Sequence, residues 1–280
     1  MTTNTARPAG LIGWPVAHSR SPALHRYWLA ALGIDSTYLL LPVQPGTLQD
    51  ALRGLQALGF TGCNVTIPHK QEAARLVDRL DPAAQRMGAV NLVVVEPDGS
   101  LTGRNTDGYG FIQNLRDALP TWRGAAGPAV VLGAGGGARS VIASLLDEGA
   151  PEIRLSNRTR ARSEALAGAF GPTIRIIDWN DRAQALEGAA LLVNTTSQGM
   201  VGQPDLDLAL DALPFAALVC DIVYNPLDTP LLIAARSRGN PTAGGLGMLL
   251  HQARPAFQAW WGILPAITPD LRAAIEATIA

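Results

Sequence analysis

The sequence predicts an α/β chain of two domains, the first mostly parallel and the second of Rossmann type, with a cleft between them. Three observations carry this. Strand-like apolar runs alternate with stretches of helical spacing along most of the chain. The apolar run Val130-Val131-Leu132 breaks into Gly133-Ala134-Gly135-Gly136-Gly137-Ala138 and then into a helical pattern, Ser140 to Asp147. The chain has 280 residues, 48% hydrophobic and only 16% charged, which is enough for two domains and a large core.

The first hundred residues alternate regularly. Strands are expected at 10–13, 37–43 and 62–67, and helices at 22–32, 47–58 and 69–80. Leu48, Leu52, Leu55 and Leu58 fall on one face of the second helix. Segments 89–96 and 100–103 flank Pro97-Asp98-Gly99, a hairpin signal that adds an antiparallel edge. A helix over 107–119 connects the domains. Strands at 173–177, 190–193 and 218–222 follow the glycine turn, then a helix from Met248 to Trp261. Thr268-Pro269-Asp270 reads as an N-cap, a Pro at the first helical position and an early acid for a last helix. The expected boundaries are 1–106 with 246–280 for the substrate domain and 107–245 for the nucleotide domain.

Composition excludes several classes. A net charge of −1 gives no general attraction for nucleic acid or an anionic membrane. No apolar run reaches the roughly 18 residues of a spanning helix, and Met1 to Gly10 lacks a signal-type segment. Cys63 and Cys220 lie in apolar runs and read as buried thiols, and His18, His25, His69 and His251 share no metal spacing. The expectation is a cytoplasmic enzyme, monomer or homodimer, with small-molecule partners and no metal.

Gly133-x-Gly135-x-x-Ala138 matches the dinucleotide fingerprint. Gly133 permits a tight turn, Gly135 admits a pyrophosphate to the backbone, and Ala138 keeps helix and strand close. The helix start offers unpaired N–H groups to phosphate. A glycine turn alone arises by chance, so the next strand, Ile153-Arg154-Leu155-Ser156, decides. An NAD site carries Asp or Glu after it to hold the ribose hydroxyl. Here Asn157-Arg158-Thr159-Arg160-Ala161-Arg162 follows, and guanidiniums without a carboxylate suit a 2′-phosphate. The cofactor expected is NADP(H).

Three polar clusters interrupt the first domain. Ser19 and Ser21 precede a helix, where two hydroxyls can hold a small carboxylate. Ser21 also reads as a simple N-cap with Pro22 behind it, whereas Ser19 has no such structural task. Asn64, Thr66 and Lys70 surround Pro68 at a strand-to-helix turn, and Asp107 stands at another such junction. A Lys at a helix start is usually just solvated. Paired with Asp107, Lys70 would shuttle a proton to an alcohol or ketone.

These residues occur in motifs that resemble the shikimate dehydrogenase family in order along nearly the whole chain. They are Gly-x-Pro-Val-x-His-Ser-x-Ser-Pro (13–22), Asn-Val-Thr-Ile-Pro-x-Lys (64–70), Gly-Ala-Val-Asn (88–91), Asn-Thr-Asp-Gly (105–108), the glycine turn, Asn-Arg-Thr (157–159), Asn-Thr-Thr-Ser (194–197), Tyr-Asn-Pro (224–226) and Gly-Leu-Gly-Met-Leu (245–249) with Gln252. The resemblance implies NADPH-dependent reduction of 3-dehydroshikimate to shikimate, on the route to aromatic amino acids. It implies that Ser19 and Ser21 hold the substrate carboxylate, and that Thr66, Lys70, Asn91, Asp107 and Gln252 surround the ring hydroxyls. Lys70 and Asp107 would be catalytic, with Tyr224 closing over substrate. Gly133, Ala134, Gly135, Gly136, Gly137 and Ala138 would take the pyrophosphate, and Asn157, Arg158, Thr159 and Arg162 the adenosine phosphate. Thr196, Ile222, Gly245 and Met248 would line the rest of the cofactor site. Leu92, where Thr is common, and Gly244, where Asp is frequent, depart from the pattern.

Two other readings compete. A quinate/shikimate dehydrogenase would use a broader substrate or cofactor range. A non-catalytic NADP(H) sensor would need only the Rossmann domain, and the intact set Ser19, Ser21, Lys70, Asn91, Asp107 and Gln252 argues against it.

Overall fold

Apolar runs punctuated by Gly and Pro become short parallel strands, and the amphipathic stretches between them become helices. The structure, a computed structural model, describes residues 7–279. In chain order the first elements are β1 (Ala9–Gly13), α1 (Ser21–Ala31), β2 (Tyr38–Pro42), α2 (Leu48–Ala57), β3 (Gly62–Val65), α3 (Lys70–Leu76), β4 (Arg79–Leu80), α4 (Pro82–Met87), β5 (Leu92–Val95) and β6 (Leu101–Arg104). They form a six-stranded sheet in the order β2-β1-β3-β5-β6-β4. β5 runs antiparallel to both β3 and β6, so the antiparallel strand lies inside the sheet and not at its edge.

Two expectations fail locally, each for a visible reason. The helix expected over 69–80 stops at Leu76, because Val77 turns extended and Asp78 exchanges hydrogen bonds with the Leu101 backbone. That exchange starts β4, which pairs with β6. Leu58 was expected on the buried face with Leu48, Leu52 and Leu55. It lies past the end of α2 and is 72% exposed, while Phe60 enters the core behind Gly59.

The following elements are α5 (Asp107–Ala118), β7 (Ala129–Leu132), α6 (Gly136–Asp147), β8 (Ile153–Ser156), α7 (Arg160–Phe170), β9 (Ile174–Ile177), β10 (Leu191–Asn194), β11 (Leu218–Asp221), α8 (Pro230–Ser237), β12 (Thr242–Ala243), α9 (Gly245–Trp261) and α10 (Pro269–Glu276). Helices α7 and α8 and the short β12 are not among the elements that the sequence pattern predicts. The six strands β7 to β12 are all parallel in the order β9-β8-β7-β10-β11-β12. That is the doubly wound order, with its switch point between β7 and β10.

The chain divides into two units, Met1–Thr106 with Gln252–Ala280, and Asp107–His251. The second division falls inside α9, later than the 245/246 boundary expected. In the second unit Val131 and Val130 of β7 face opposite cores. Val131 joins Phe111, Val141 and Leu155, and Val130 joins Leu192, Val219 and Leu232, as expected for strands covered on both faces. In the first unit one sheet face packs on α2 through Leu48, Leu52 and Leu55. The other, with Leu11, Tyr38, Leu92 and Val94, is covered by Ala256 and Trp260 of α9. The Trp260 indole N–H donates to the Val93 carbonyl at 3.1 Å. Thr268 caps α10 by accepting from the Leu271 N–H.

His25 sits in this aromatic layer, stacked 4.2 Å from the Tyr38 ring and flanked by Phe257, Trp28 and Trp260. Burial drives its pKa down to about 3, and neither ring nitrogen has a hydrogen-bond partner among the described residues. The unfolded state then binds more protons between pH 6.5 and 3, so stability is complete above 6.5 and falls with acid. Between pH 7 and 4.5 this group removes on the order of 2–3 kcal/mol, at 1.36 kcal/mol per pH unit. His25→Phe keeps the stack and abolishes that loss. Denaturant midpoints at the two pH values check this, and equal acid sensitivity in the variant contradicts it.

Candidate active site

Polar residues of the first unit gather at the C-terminal ends of β1, β3 and β6 and the start of β5. Asn64 is the last residue but one of β3, and its side-chain N–H donates to the Asn91 carbonyl at 2.9 Å. The Asn91 amide turns to Thr106: its oxygen accepts the Thr106 N–H at 2.8 Å and its nitrogen donates to the Thr106 hydroxyl at 3.0 Å. The same nitrogen lies 3.4 Å from Gln252 Oε1. Asn64, Asn91 and Thr106 are all buried, Asn91 to 2% exposure. Burying amides costs free energy unless each is bonded, and here they hold one another. Two of the expected site residues, Asn91 and Gln252, are therefore brought together directly.

The hydroxyl pair is arranged differently from the expectation. Ser21 is not the N-cap of α1; it is the first helical residue, and Arg20 precedes it without a side-chain cap. Ser19 takes the structural task, with its hydroxyl oxygen accepting the Ser21 N–H at 3.2 Å. The Ser21 side chain is thereby released from capping and lies beside the phenol of Tyr38. Thr66 is half-buried just past β3, its N–H held by the Ile12 carbonyl at 2.8 Å. Lys70 opens α3, half-buried, and its carbonyl accepts from Val90. Asp107 opens α5 and is 6% exposed.

In the second unit the glycine turn follows β7 as expected, with α6 starting at Gly136, before the Ser140 start read from the sequence. Gly133 has φ +104°, and a Cβ there would meet Thr195 Oγ1 at 2.6 Å, so the turn needs glycine. Gly135 and Gly136 face open space, where a Cβ would meet nothing within 4 Å. Ala138 is fully buried against the sheet, and Ala134 packs partly on the same core. The unpaired N–H groups of the first helical turn thus border room for a phosphate.

The end of β8 carries no carboxylate. Asn157 bonds the Thr159 carbonyl at 2.9 Å, and Arg158, Thr159 and Arg162 are exposed. Neither Arg158 nor Arg162 has a side-chain partner among the described residues. Arg160, read from the sequence as a third guanidinium for phosphate, is instead paired with Glu164 and Asp178. These residues fit a dinucleotide with a phosphorylated adenosine ribose.

A buried carboxylate organises the loops after β10 and β11. Asp221 accepts from Asn194 Nδ2 at 3.0 Å, the Val223 N–H at 3.0 Å and the Thr229 hydroxyl at 2.8 Å. Burial raises its pKa, against these three bonds. Asn194 in turn accepts from the Thr196 N–H and hydroxyl. Ile222 donates its N–H to the Asn194 carbonyl, and a Cβ on Gly245 would collide with the Ile222 and Val223 backbone. Thr196, Ile222 and Gly245 therefore belong to one rigid assembly. Met248 packs partly on the core, and Tyr224 is half-buried.

The departures Leu92 and Gly244 have plain structural places. Leu92 is buried in the core with Trp260, and the Gly244 carbonyl accepts from Asn114 at 3.0 Å. No local spacing in the sequence points to a task for Thr106, Asn194 or Asp221. A carboxylate closing the apolar strand Leu-Val-Cys-Asp was the available signal for the last.

Residues 11–93 match the family model of the shikimate dehydrogenase substrate binding domain, and residues 122–205 that of shikimate / quinate 5-dehydrogenase. The chain is 57% identical over 268 residues to the shikimate dehydrogenase (NADP(+)) of Paramagnetospirillum magneticum, covering 96% of this chain and 97% of that one. It belongs to the shikimate dehydrogenase family. Among solved family structures, shikimate 5-dehydrogenase from Thermus thermophilus, in complex with NADP(H) and shikimate, is 35% identical over 98% of each chain, with a TM-score of 0.84. Quinate dehydrogenase from Corynebacterium glutamicum in complex with NAD is 31% identical over 98% of this chain and 100% of that one, at 0.90.

Proposed function

We propose that this protein reduces 3-dehydroshikimate to shikimate with NADPH, reversibly, in the biosynthesis of aromatic amino acids. The observation that carries the reading is the bonded set Asn64, Asn91, Thr106 and Gln252 at the strand ends, which a protein that only bound nucleotide would not need. When bound, NADPH supplies the hydride. Ser19 and Ser21 hold the carboxylate through hydroxyls, and Thr66, Asn91 and Gln252 meet the ring hydroxyls. Lys70 donates the proton to the substrate oxygen and Asp107 serves as its partner, general acid–base work suited to a ketone and an alcohol. Tyr224 closes over the substrate. Gly133 to Ala138 hold the pyrophosphate, Asn157, Arg158, Thr159 and Arg162 the 2′-phosphate, and Thr196, Ile222, Gly245 and Met248 the remainder.

The protein acts on small molecules as monomer or homodimer, and no helix among the described residues is long and apolar enough to cross a membrane. A reducing cytoplasmic setting goes with two free cysteines, Cys63 and Cys220.

The test is the rise in absorbance at 340 nm with shikimate and NADP, and with quinate beside it. Quinate carries an extra hydroxyl on a tetrahedral C1, next to the carboxylate. None of the residues proposed for the carboxylate is spare to bond it, and an unpaired polar group costs about 1–3 kcal/mol. Shikimate should therefore exceed quinate in kcat/KM by about tenfold or more. Equal values would move the chain toward the quinate dehydrogenases, and no reduction with either would leave a nucleotide-binding protein.

A further inference from the structure

Beneath the carboxylate-binding hydroxyls lies a group that the reaction itself does not touch. Tyr38 is the first residue of β2 and wholly buried, its ring stacked on His25, which lies one helical turn beyond Ser21 on α1. Its O–H donates to Asn64 Oδ1 at 2.7 Å, and the Ser21 side chain lies beside its oxygen. Asn64 passes the connection on through its N–H to the Asn91 carbonyl, and the Asn91 side chain meets Thr106 and Gln252. One phenol therefore sits against α1 and is bonded, through β3, to the loop before β5.

We propose that Tyr38 is a positioning residue for the substrate, its phenol fixing Asn64, with Asn91 behind it, while packing beside Ser21. The inference rests on the reading of Ser21, Asn91 and Gln252 as substrate-binding residues. The chemistry is specific. An Asn side chain can rotate to exchange oxygen and nitrogen. With the Tyr38 proton on its oxygen, the Asn64 nitrogen is the end left to face the Asn91 carbonyl. That bond fixes the backbone from which the Asn91 amide reaches its partners. The ring cannot swing away, because the stack with His25 and the neighbouring Trp260 encloses it. The phenol thus fixes one substrate-site amide through Asn64 and lies beside a second substrate-site residue, Ser21.

Tyr38→Phe removes the hydroxyl and keeps the ring. In the folded variant, KM for shikimate should rise about tenfold, the scale of leaving a buried acceptor unpaired. KM for NADP should stay within about twofold and kcat within about threefold, since neither the hydride nor the proton path includes the phenol. Ser21→Ala is the companion measurement. If it leaves KM for shikimate unchanged, the reading of the carboxylate site fails. If it raises KM while Tyr38→Phe does not, the role of Tyr38 fails alone.

A measurement on the unsubstituted protein covers the case in which Tyr38→Phe does not fold. The chain has four tyrosines, and with the phenolic carbon labelled, Tyr38 is the resonance that resists titration at high pH, because burial pushes its phenol well up. Shikimate should shift that resonance and NADP alone should not. An unchanged KM in folded Tyr38→Phe, or a resonance unmoved by shikimate, overturns the proposal.

Discussion

Lys70→Ala lowers kcat by about 10²–10⁴-fold, the range of general acid–base assistance, and leaves NADP affinity near that of the unsubstituted enzyme. Lys70 opens α3 and Asp107 opens α5, each directly after a stretch that ends a sheet strand. A lysine there gains nothing from the helix dipole, which favours anions at an N-terminus. The proposed function gives it a task, the proton of the substrate oxygen. Asp107 is 6% exposed, and the proposed function makes it the partner of Lys70 in the proton transfer. Asp107→Ala should therefore lower kcat on the same scale. If the two act as one unit, the double variant is little worse than either single one, because removing either member already disables the pair. Steady-state kinetics of the three variants in both directions check this. Additive losses would show that the two side chains act separately, and an NADP affinity that fell with kcat would place Lys70 in nucleotide binding.

Arg158→Ala with Arg162→Ala weakens NADP binding by about 10²-fold and leaves NAD binding almost unchanged. Both guanidiniums are exposed, and neither has a side-chain partner among the described residues, so both are available to a 2′-phosphate. Each charge-assisted bond to phosphate contributes at the lower end of its usual range, because water screens an open site. Arg160→Ala is the internal control. That side chain is occupied by Glu164 and Asp178, and its loss should alter the affinity for both cofactors alike. Titration of each cofactor by fluorescence or calorimetry separates the cases. An equal fall for NAD and NADP in the double variant would remove the basis for the choice of cofactor.

The sequence made the sheets legible where an element's local pattern agreed with its packing. The glycine turn, the strand after it and the missing carboxylate could be read because backbone requirements and charge leave marks at fixed spacings. The failures come where the deciding partner is distant. Nothing near Leu76 announces that Asp78 will bond Leu101 and end the helix. Ser21 carries every local sign of an N-cap, and Ser19 takes that bond only because α1 begins one residue earlier than those signs indicate. Arg160 looked equivalent to Arg158 and Arg162 until Asp178, eighteen positions away, claimed it. Thr106 and Asp221 act through bonds to other strands, and no spacing rule reaches across a sheet.

The division of the chain at Thr106 and again inside α9 also sets an order of events during synthesis. The unit Asp107–His251 is one uninterrupted stretch and has all its strands as soon as it leaves the ribosome. The earlier unit has its strands as early but not its covering helices. Its sheet face with Leu11, Tyr38, Leu92 and Val94 lacks a cover until Ala256 and Trp260 emerge, and Trp28 has to wait for the Ala266 carbonyl that its indole bonds at 3.0 Å. Domains commonly fold in the order of translation. Here the earlier segment is completed after the later one, and until α9 emerges it exposes an apolar sheet face that a chaperone can hold.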